Sequence, residues 1–375
     1  MIYFQDKRTQ LDSILDQMAA DIQLNQTRYE KMVTSYEAVR KCIEGDEDFF
    51  QPYNYEVYPH GSVRILTSIK PIQKEEFDLD IVLHFTNENI THSPLKIYNE
   101  LKRVLQNSPV YKDMVDLKSR CIRLNYSGDF HMDIMPGVQL HRHDENKIKI
   151  PDRTLGKWVS SNPRGYADWF LAKANLVQMS LLEKAMRAEE IQIDDFRKKK
   201  PLQRAVQLIK RYRDIYFESD PTYKPRSVIL TTIAGQFYEG NESIYDSINN
   251  IVNNIKSNIN GIERIKVFNP VNPEEEFTDK WEKEPKYEQA FKNFIIHLDK
   301  EWSKLREEHG LITEGNIMKG LFGEDLYKRA KEKESIILES IRSKQNLFTE
   351  RSTGLLTSTS SSTTSKIKEN TFYGS

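Results

Sequence analysis

The stretch FDLDIVLHF, residues 77–85, carries two aspartates inside a run whose alternation predicts a buried strand. Side chains two positions apart on a strand point to the same side, so Asp78 and Asp80 share one face. Two carboxylates held together repel each other unless a cation neutralises them, and hard divalent ions such as Mg²⁺ prefer such oxygen ligands. The pair therefore predicts a metal site. The plainer alternative is a strand end with both acids in water.

Two further features favour the metal site. The motif HMDIMP places Asp133 on a second short apolar strand, from which a third carboxylate could join the first two on one sheet. Upstream, HGSVRILTS contains Gly61, which permits close backbone approach, and Ser62, which offers a hydroxyl and an N–H to phosphate. Two metal ions about 3.5–4 Å apart would activate an attacking hydroxyl and stabilise a pyrophosphate leaving group.

Composition limits the partners. The chain of 375 residues has 55 Lys and Arg against 56 Asp and Glu, so it lacks the positive field of a protein that grips a long nucleic acid. No run of about 18 apolar residues predicts a membrane span, and the first residues show no apolar signal segment. Cys42 and Cys121 lie far apart without metal-ligand spacing. We expect a cytoplasmic protein that binds neither a membrane nor long nucleic acid.

Periodicity predicts the elements that position these residues. Helical spacing without Pro or Gly over residues 5–43 indicates one long helix or two abutting helices. The rest of the first half predicts, in chain order, two strands within 55–86, a helix over 93–108, a hairpin of segments 114–126 and 129–135, a partly ordered connection over 141–165, and a helix that begins in SNPRGYADWF.

The second half reads differently. From about residue 200 the spacing is helical throughout, and at residue 351 the composition changes to a Ser/Thr-rich run that cannot bury a core. We expect an α+β fold, a mixed sheet with helices followed by an all-helical domain. The expected parts are a core of residues 1–199 with the long N-terminal helix, a helical domain of residues 200–346, and a flexible tail of residues 347–375.

The chain resembles a known family at these residues. GS at 61–62, DLD at 78–80 and the distal Asp133 are similar to the signature of polymerase-beta-type nucleotidyltransferases. The blocks RAVQLIKRYRD, KPRSVILTTIAG, FNPVNPEEEFTDKW and GLFGE follow in order, and with them residues 50–330 resemble the cGAS/DncV-like enzymes, or CD-NTases. That family makes cyclic di- or trinucleotide messengers in CBASS antiphage defence. The resemblance implies a bilobal nucleotidyltransferase core and an oligoadenylate-synthetase-like helical domain.

The resemblance also implies a role for each site residue. Asp78, Asp80 and Asp133 would be the catalytic carboxylates and the ligands of two Mg²⁺ ions, with Mn²⁺ as a substitute. Asp133 would also act as base on the attacking ribose hydroxyl. These three acids are the residues on which the expected catalysis depends.

Four more residues would bind nucleotide. Gly61 and Ser62 would hold the β- and γ-phosphates of the donor, and Lys210 and Ser227 would reach the triphosphate from the helical domain. From the residues alone, Lys210 lies on an Arg-rich helix face that is typical of a solvated stripe, and Ser227 could cap the helix that follows Pro225.

The implied reaction uses nucleoside triphosphates, with ATP, GTP or both expected, and builds a cyclic product with release of pyrophosphate. The alternatives are a linear oligonucleotide synthetase and a catalytically silent module that senses nucleotides. In some CBASS operons a ubiquitin-transfer-like partner conjugates the mobile C-terminus of the resembling enzymes. The final segment ENTFYGS is a candidate for that conjugation, although a Ser/Thr-rich tail is also typical of simple disorder.

Overall fold

A computed structural model describes residues 7–72, 76–86, 90–141, 144–178, 196–259, 263–307, 311–343, 348–351, 356–357 and 360–367. Its α-helices are α1 (Lys7–Asp21), α2 (Gln26–Glu44), α3 (Gly61–Arg64), α4 (Pro94–Asn107), α5 (Pro163–Ala174), α6 (Pro201–Tyr216), α7 (Ser227–Phe237), α8 (Ile244–Ile259), α9 (Asp279–Lys283), α10 (Lys286–Lys304), α11 (Leu311–Phe322) and α12 (Glu324–Ser343). Its strands are β1 (Tyr55–His60), β2 (Phe77–Phe85), β3 (Val115–Leu117), β4 (Ile122–Tyr126), β5 (Phe130–His141), β6 (Asp144–Asp152), β7 (Lys157–Ser161), β8 (Phe268–Asn269), β9 (Asn272–Glu276), β10 (Phe348–Glu350), β11 (Leu356–Thr357) and β12 (Thr364–Lys366). Within these residues no helix is both long and apolar enough to cross a membrane.

The N-terminal region forms two helices. The α1 helix ends at Asp21 and α2 begins at Gln26. The side chain of Asn25 accepts a hydrogen bond from the Arg28 backbone N–H at 2.8 Å, which is the N-cap that starts a new helix. The expectation of one long helix is therefore wrong, and the alternative of two abutting helices is confirmed.

A mixed sheet carries the predicted acids. In the described residues it has seven strands, with the order β1-β2-β5-β4-β3, and β6 and β7 continue from β5. The β2 and β5 strands are parallel, whereas the other neighbours are antiparallel. Leu79, Ile81 and Leu83 of β2 are fully buried against residues of α2 and α4. The prediction of a strand at residues 77–85 with one apolar face is confirmed.

The connection expected over residues 141–165 is instead part of the sheet. The β6 and β7 strands fill most of it, and α5 begins at Pro163. Ile148 and Ile150 are buried and alternate with exposed or half-buried polar residues. The two-residue period of a strand is thus present in this segment despite its high charge. The high charge led to the incorrect prediction of a partly ordered connection.

Three other stretches differ from expectation. Residues 114–126 form two strands, because the Lys118 N–H donates to the Cys121 carbonyl at 3.1 Å and closes a turn between them. The block FNPVNPEEEFTDKW contains the β8–β9 hairpin, so the second half is not wholly helical. The tail contains the β10–β12 sheet, consistent with the strand propensity of threonine, and residues 368–375 lie outside the described residues.

The helices of the second half share one apolar core with α1. Leu15, Met18 and Ala19 of α1 are fully buried in a cluster with residues of α6, α7, α8, α10, α11 and α12. Phe170 of α5, in the segment where a helix was predicted to begin, is fully buried in the same cluster. The helical lobe is therefore closed by the first helix of the chain, which the expected boundary at residue 199 assigns to the other part.

Candidate active site

Strand register brings the predicted acids to one place. The β2–β5 pairing sets Asp80 beside Asp133, and Asp78 lies two positions earlier on the same face as Asp80. The side chain of Asp78 is 57% exposed and that of Asp133 only 16%. The prediction that Asp133 lies on a neighbouring strand of the same sheet is confirmed.

A guanidinium lies among these acids. Arg123 faces Asp133 across the β4–β5 ladder. Its Nε donates to Asp133 Oδ1 at 2.7 Å, and its Nη2 donates to Asp133 Oδ2 at 2.8 Å and to Asp78 Oδ1 at 3.3 Å. We call Asp78, Asp80, Asp133 and Arg123 the acid-rich cluster. It sets three carboxylates against one positive charge.

The pKa values of the acid-rich cluster reflect its burial and its excess of negative charge. Burial, reinforced by the negative charges of Asp78 and Asp133, raises the pKa of Asp80 to about 8. The hydrogen bond to Asp133 raises the pKa of Arg123 above its ordinary value. A carboxyl group whose ionisation is this unfavourable is a natural ligand for an added cation.

The donor set fits Mg²⁺, with one qualification in geometry. Carboxylate oxygens are the ligands that this ion prefers, and Asp78 and Asp80 present theirs without a full complement of counter-charge. In the described part of the chain, however, no three His, Cys, Asp or Glu side chains form a ready-made metal site. Arg123 holds both oxygens of Asp133, so the guanidinium competes with a metal ion for that acid.

The glycine–serine turn lies against the same acids. Gly61 has φ +62°, a conformation that favours glycine, and a Cβ at this position would collide with the Asp80 carboxylate. Ser62 Oγ is 3.0 Å from Ser68 Oγ, so two hydroxyls lie side by side at this turn. Glycine at this position therefore allows the Asp80 carboxylate to approach the backbone closely, and the predicted contact of Gly61 with phosphate stays a prediction.

The segment after this turn is fastened to α6. Leu66 has φ +58°, which non-glycine residues rarely adopt, within residues 65–70, which we call the strap. Four strap carbonyls accept hydrogen bonds from α6 side chains: Ile65 from Gln203 at 3.0 Å, Thr67 from Lys210 at 2.8 Å, Ser68 from Gln207 at 2.6 Å and Lys70 from Arg211 at 2.6 Å. The turn is thereby fixed relative to the helical lobe.

Lys210 and Ser227 both face this region from the helical lobe. Lys210 is 5% exposed, so the interpretation as a solvated stripe is wrong, and burial lowers the pKa of its ammonium group to about 7. Ser227 is the first residue of α7, and its Oγ accepts a hydrogen bond from Arg213 Nη1 at 2.7 Å. Arg213 and Lys224 both bind the Asp214 carboxylate, at 2.9 Å from Arg213 Nε and from Lys224 Nζ.

A cavity of about 620 Å³ joins these groups between the sheet and the helical lobe. Its sheet side has more acids than bases, with Arg123 among the acids, and its helical side has more bases than acids, with Asp214 among the bases. Arg123 lines the wall and covers both oxygens of Asp133, which itself does not line the cavity. The other predicted site residues all line it: Gly61, Ser62, Asp78, Asp80, Lys210 and Ser227. The basic residues of the helical side are Lys210, Arg213, Lys224 and Arg226.

Sequence reasoning missed Arg123 and the ionic network beneath Ser227. The signal for Arg123 was present, because a turn at residues 127–129 pairs Tyr126 with Phe130 and so places Arg123 opposite Asp133. The network beneath Ser227 joins Arg213 and Lys224 to one acid, and nothing local in the sequence indicates that contact.

Comparison with known proteins identifies relatives of the chain. A family model described as a Second Messenger Oligonucleotide or Dinucleotide Synthetase domain matches residues 10–175. The chain is 40% identical over 378 residues to a protein of Roseivirga ehrenbergii named c-di-GMP synthase, and the match covers 100% of both chains. It is 28% identical over 296 residues to the cyclic dinucleotide synthase CdnG of Bradyrhizobium diazoefficiens, covering 72% of this chain and 70% of the relative.

The fold is also shared. The solved structure of the Bradyrhizobium diazoefficiens CD-NTase CdnG in complex with GTP superposes with a TM-score of 0.70 at 24% identity, covering 87% of this chain and 99% of that chain. This likeness supports the bilobal α+β architecture described above. The full-length relative, the domain match and this shared fold together show that the chain is a nucleotidyltransferase that belongs to the CD-NTase, or cGAS/DncV-like, family.

Proposed function

We propose that this enzyme is a Mg²⁺-dependent synthase that joins two nucleoside triphosphates into a cyclic dinucleotide and releases pyrophosphate. The observation that carries the proposal is the polarity of the cavity, with acids on the sheet side and bases on the helical side. A triphosphate bound to divalent ions has the matching polarity, because its metal ions seek carboxylates and its phosphate oxygens seek cations. The Gly61–Ser62 turn lies where the two sides meet.

The residues divide the work of phosphoryl transfer. Asp78, Asp80 and Asp133 would hold Mg²⁺, which when bound promotes ionisation of the attacking hydroxyl and neutralises charge on the leaving pyrophosphate. Gly61 and Ser62 offer an N–H and a hydroxyl to the donor phosphates, and the strap keeps them in place. Once Arg123 has released its carboxylate, Asp133 would accept the proton of the attacking ribose hydroxyl.

The helical side completes the phosphate site. The Lys210 ammonium group and the Ser227 hydroxyl reach the triphosphate from the opposite wall. At each transfer a ribose oxygen attacks the α-phosphorus, and the bond from that phosphorus to the oxygen that bridges the α- and β-phosphates breaks. A second transfer within the linear intermediate closes the ring and releases a second pyrophosphate.

GTP is the substrate that the relatives favour. The full-length relative at 40% identity is named for c-di-GMP, and the CdnG structure contains GTP. We therefore propose c-di-GMP as the product, with a role in CBASS antiphage defence that rests on family membership. Conjugation of ENTFYGS stays a prediction, since residues 368–375 lie outside the described residues.

The test is product analysis. Purified protein is incubated with α-³²P-labelled GTP, ATP, CTP or UTP, singly and in pairs, with Mg²⁺ or Mn²⁺, and then treated with phosphatase. We expect a phosphatase-resistant product from GTP alone, with the mass of two linked guanylates, and none in EDTA. Phosphatase-sensitive products throughout would instead identify a linear synthetase. No product from any nucleotide would support a module that only senses nucleotides.

A further inference from the structure

Arg123 stands where the third acid would otherwise be open to a metal ion. Two of its nitrogens bind the two oxygens of Asp133, in the two-pronged geometry that makes guanidinium–carboxylate pairs strong. The same guanidinium reaches Asp78, so it bridges two of the three acids of the acid-rich cluster. A divalent ion that bound Asp133 would need the oxygens that Arg123 already holds.

Position and charge both set Arg123 against metal binding. The side chain is 23% exposed, with its guanidinium in the cavity wall, so solvent can receive it if it leaves. Its positive charge also repels a divalent ion that approaches Asp78 or Asp80, and this repulsion is weakly screened at a partly buried site. The contact therefore acts as an internal counter-ion for the metal-free protein.

A nearby arginine shows what a purely structural pair looks like. Arg120 Nε donates to Asp152 Oδ2 at 2.9 Å, but Asp152 Oδ1 accepts backbone N–H groups of Thr154 and Leu155 at 3.1 and 3.0 Å. That acid helps to build the β6–β7 turn. Arg120 therefore offers a matched control, with the same side chain on a carboxylate outside the cavity.

We propose that Arg123 is a gating cation, which blocks the third metal ligand until a nucleoside triphosphate binds. The phosphates of the nucleotide offer Arg123 new acceptors in the cavity that it lines, and its departure frees Asp133. The protein alone thus binds divalent ions weakly, and nucleotide and metal load together. This inference rests on the metal dependence proposed above and adds a positioning role for a residue outside the expected set.

Metal binding without turnover tests the proposal. Mn²⁺ affinity is measured in the absence of nucleotide, by calorimetry or by the electron spin resonance signal of free Mn²⁺, for the wild type, Arg123→Gln and Arg120→Gln. Removal of the competing charge should tighten Mn²⁺ binding to Arg123→Gln by about tenfold or more. Arg120→Gln should match the wild type. Equal or weaker binding to Arg123→Gln would overturn the gating role.

Two further measurements separate gating from a structural role. With a saturating non-hydrolysable GTP analogue, the Mn²⁺ affinities of wild type and Arg123→Gln should converge, because the nucleotide has already displaced the guanidinium. In an Asp133→Asn background, Arg123→Gln should tighten Mn²⁺ binding much less, because only the repulsion at Asp78 and Asp80 is then relieved. A gain that persists undiminished in both conditions would reflect general charge removal and would contradict the proposal.

The outcomes also distinguish this inference from the proposed function. If Mn²⁺ binds none of the proteins, the metal dependence and the gating role both fail. If the wild type makes a cyclic product but Arg123→Gln binds Mn²⁺ no more tightly, only the gating role fails. If Arg123→Gln loses its cooperative unfolding transition, Arg123→Lys is used instead, because lysine keeps the charge but not the two-pronged contact. Arg123→Lys should bind Mn²⁺ more tightly than the wild type, by a smaller factor than that expected for Arg123→Gln. Affinity equal to the wild type would count against gating.

Discussion

Two ionic clusters in this molecule have opposite charge balances. The acid-rich cluster sets three carboxylates against one guanidinium. At the other cluster, which we call the Asp21 junction, Arg329 Nε and Lys333 Nζ each lie 2.8 Å from the carboxylate of Asp21, and Lys70 Nζ lies 3.3 Å away. The first cluster lines the cavity, whereas the second joins α1, α12 and the strap.

The pKa values follow these balances. Burial and neighbouring negative charge raise the pKa of Asp80 to about 8. Burial also acts to raise the pKa of Asp21, but hydrogen bonds from Lys333 and Arg329 outweigh it and lower the value to about 2. An acid whose charge is neutralised by several cations is typical of a structural ion pair, whereas acids with too little counter-charge indicate a site that binds an added cation. The comparison distinguishes the two clusters by their charge balance, without reference to any relative.

The largest effect is expected at the acid-rich cluster. Asp80→Asn should lower turnover by about a thousandfold or more, because it removes a proposed metal ligand. Asp80 loses its proton near pH 4 in the unfolded state but only near pH 8 in the folded state. Between these values the unfolded state binds fewer protons, so the metal-free wild type loses stability as the pH rises. Asp80→Asn should lack that loss. Product formation and melting midpoints in EDTA from pH 5 to 8 measure both effects, and wild-type turnover would remove Asp80 from the site.

A second change tests how closely the turn is packed on the cluster. Gly61→Ala should lower turnover by about a hundredfold, because its Cβ would displace the Asp80 carboxylate. Gly128→Ala is the matched control, since Gly128 also has positive φ, at +80°, but a Cβ there meets nothing within 4 Å. Both variants should lose about 1 kcal/mol of unfolding free energy. Equal turnover in the two variants would show that only backbone strain matters.

The Asp21 junction should respond in the opposite way. Asp21→Asn should lower the free energy of unfolding at pH 7 by about 2 kcal/mol and leave turnover unchanged, because the half-exposed cations lose a partly buried partner. The folded pKa lies below the ordinary value, so this stabilisation is complete above pH 4 and fades as the pH falls towards 2. Urea unfolding at pH 7 and pH 3 should show a smaller difference at the lower pH. A loss of turnover without a loss of stability would contradict the structural role.

The smallest effect concerns Lys210, the basic counterpart of the acid-rich cluster. Its pKa of about 7 means that much of the side chain is neutral near pH 8, and a bound triphosphate should restore its charge. Binding of a non-hydrolysable triphosphate analogue in EDTA should therefore take up a fraction of a proton at pH 8. Calorimetry in buffers of different ionisation enthalpy measures this uptake. Lys210→Arg should show less uptake, and equal uptake would assign the proton to another group.

The sequence predicted the site more fully than its surroundings. The period of FDLDIVLHF was enough to put Asp78 and Asp80 on one face, and the turn before Phe130 was enough to set the β4–β5 register, since both follow from local pattern. The parallel pairing that sets Asp80 beside Asp133 joins strands about fifty residues apart and was predicted only as a neighbouring strand of the same sheet. The strap could not be foreseen in this way, because its hydrogen bonds to α6 span more than a hundred residues. The same holds for the burial of Lys210, which depends on packing between lobes and not on the helix that carries it.

Errors in the fold have a similar cause. The β6 and β7 strands were hidden by high charge, although Ile148 and Ile150 kept the two-residue period. The Asn25 cap is a local signal that resolves the N-terminal ambiguity, whereas the packing of α1 against α12 is a contact between distant parts of the chain. Local sequence patterns predict secondary-structure elements and the register of hairpins, but they do not predict which distant elements pack together.

The placement of α1 in the helical lobe has a consequence for the order in which the protein can be made. The contact from Arg329 to Asp21 spans 308 residues, which at roughly 5–20 residues per second of translation takes roughly 15–60 s. During that interval only the helices already synthesised, such as α6 and α8, can cover the apolar side of α1. Final closure of the lobe is therefore a late event, and a nascent chain that stops before residue 324 lacks the part of this cover that α12 provides.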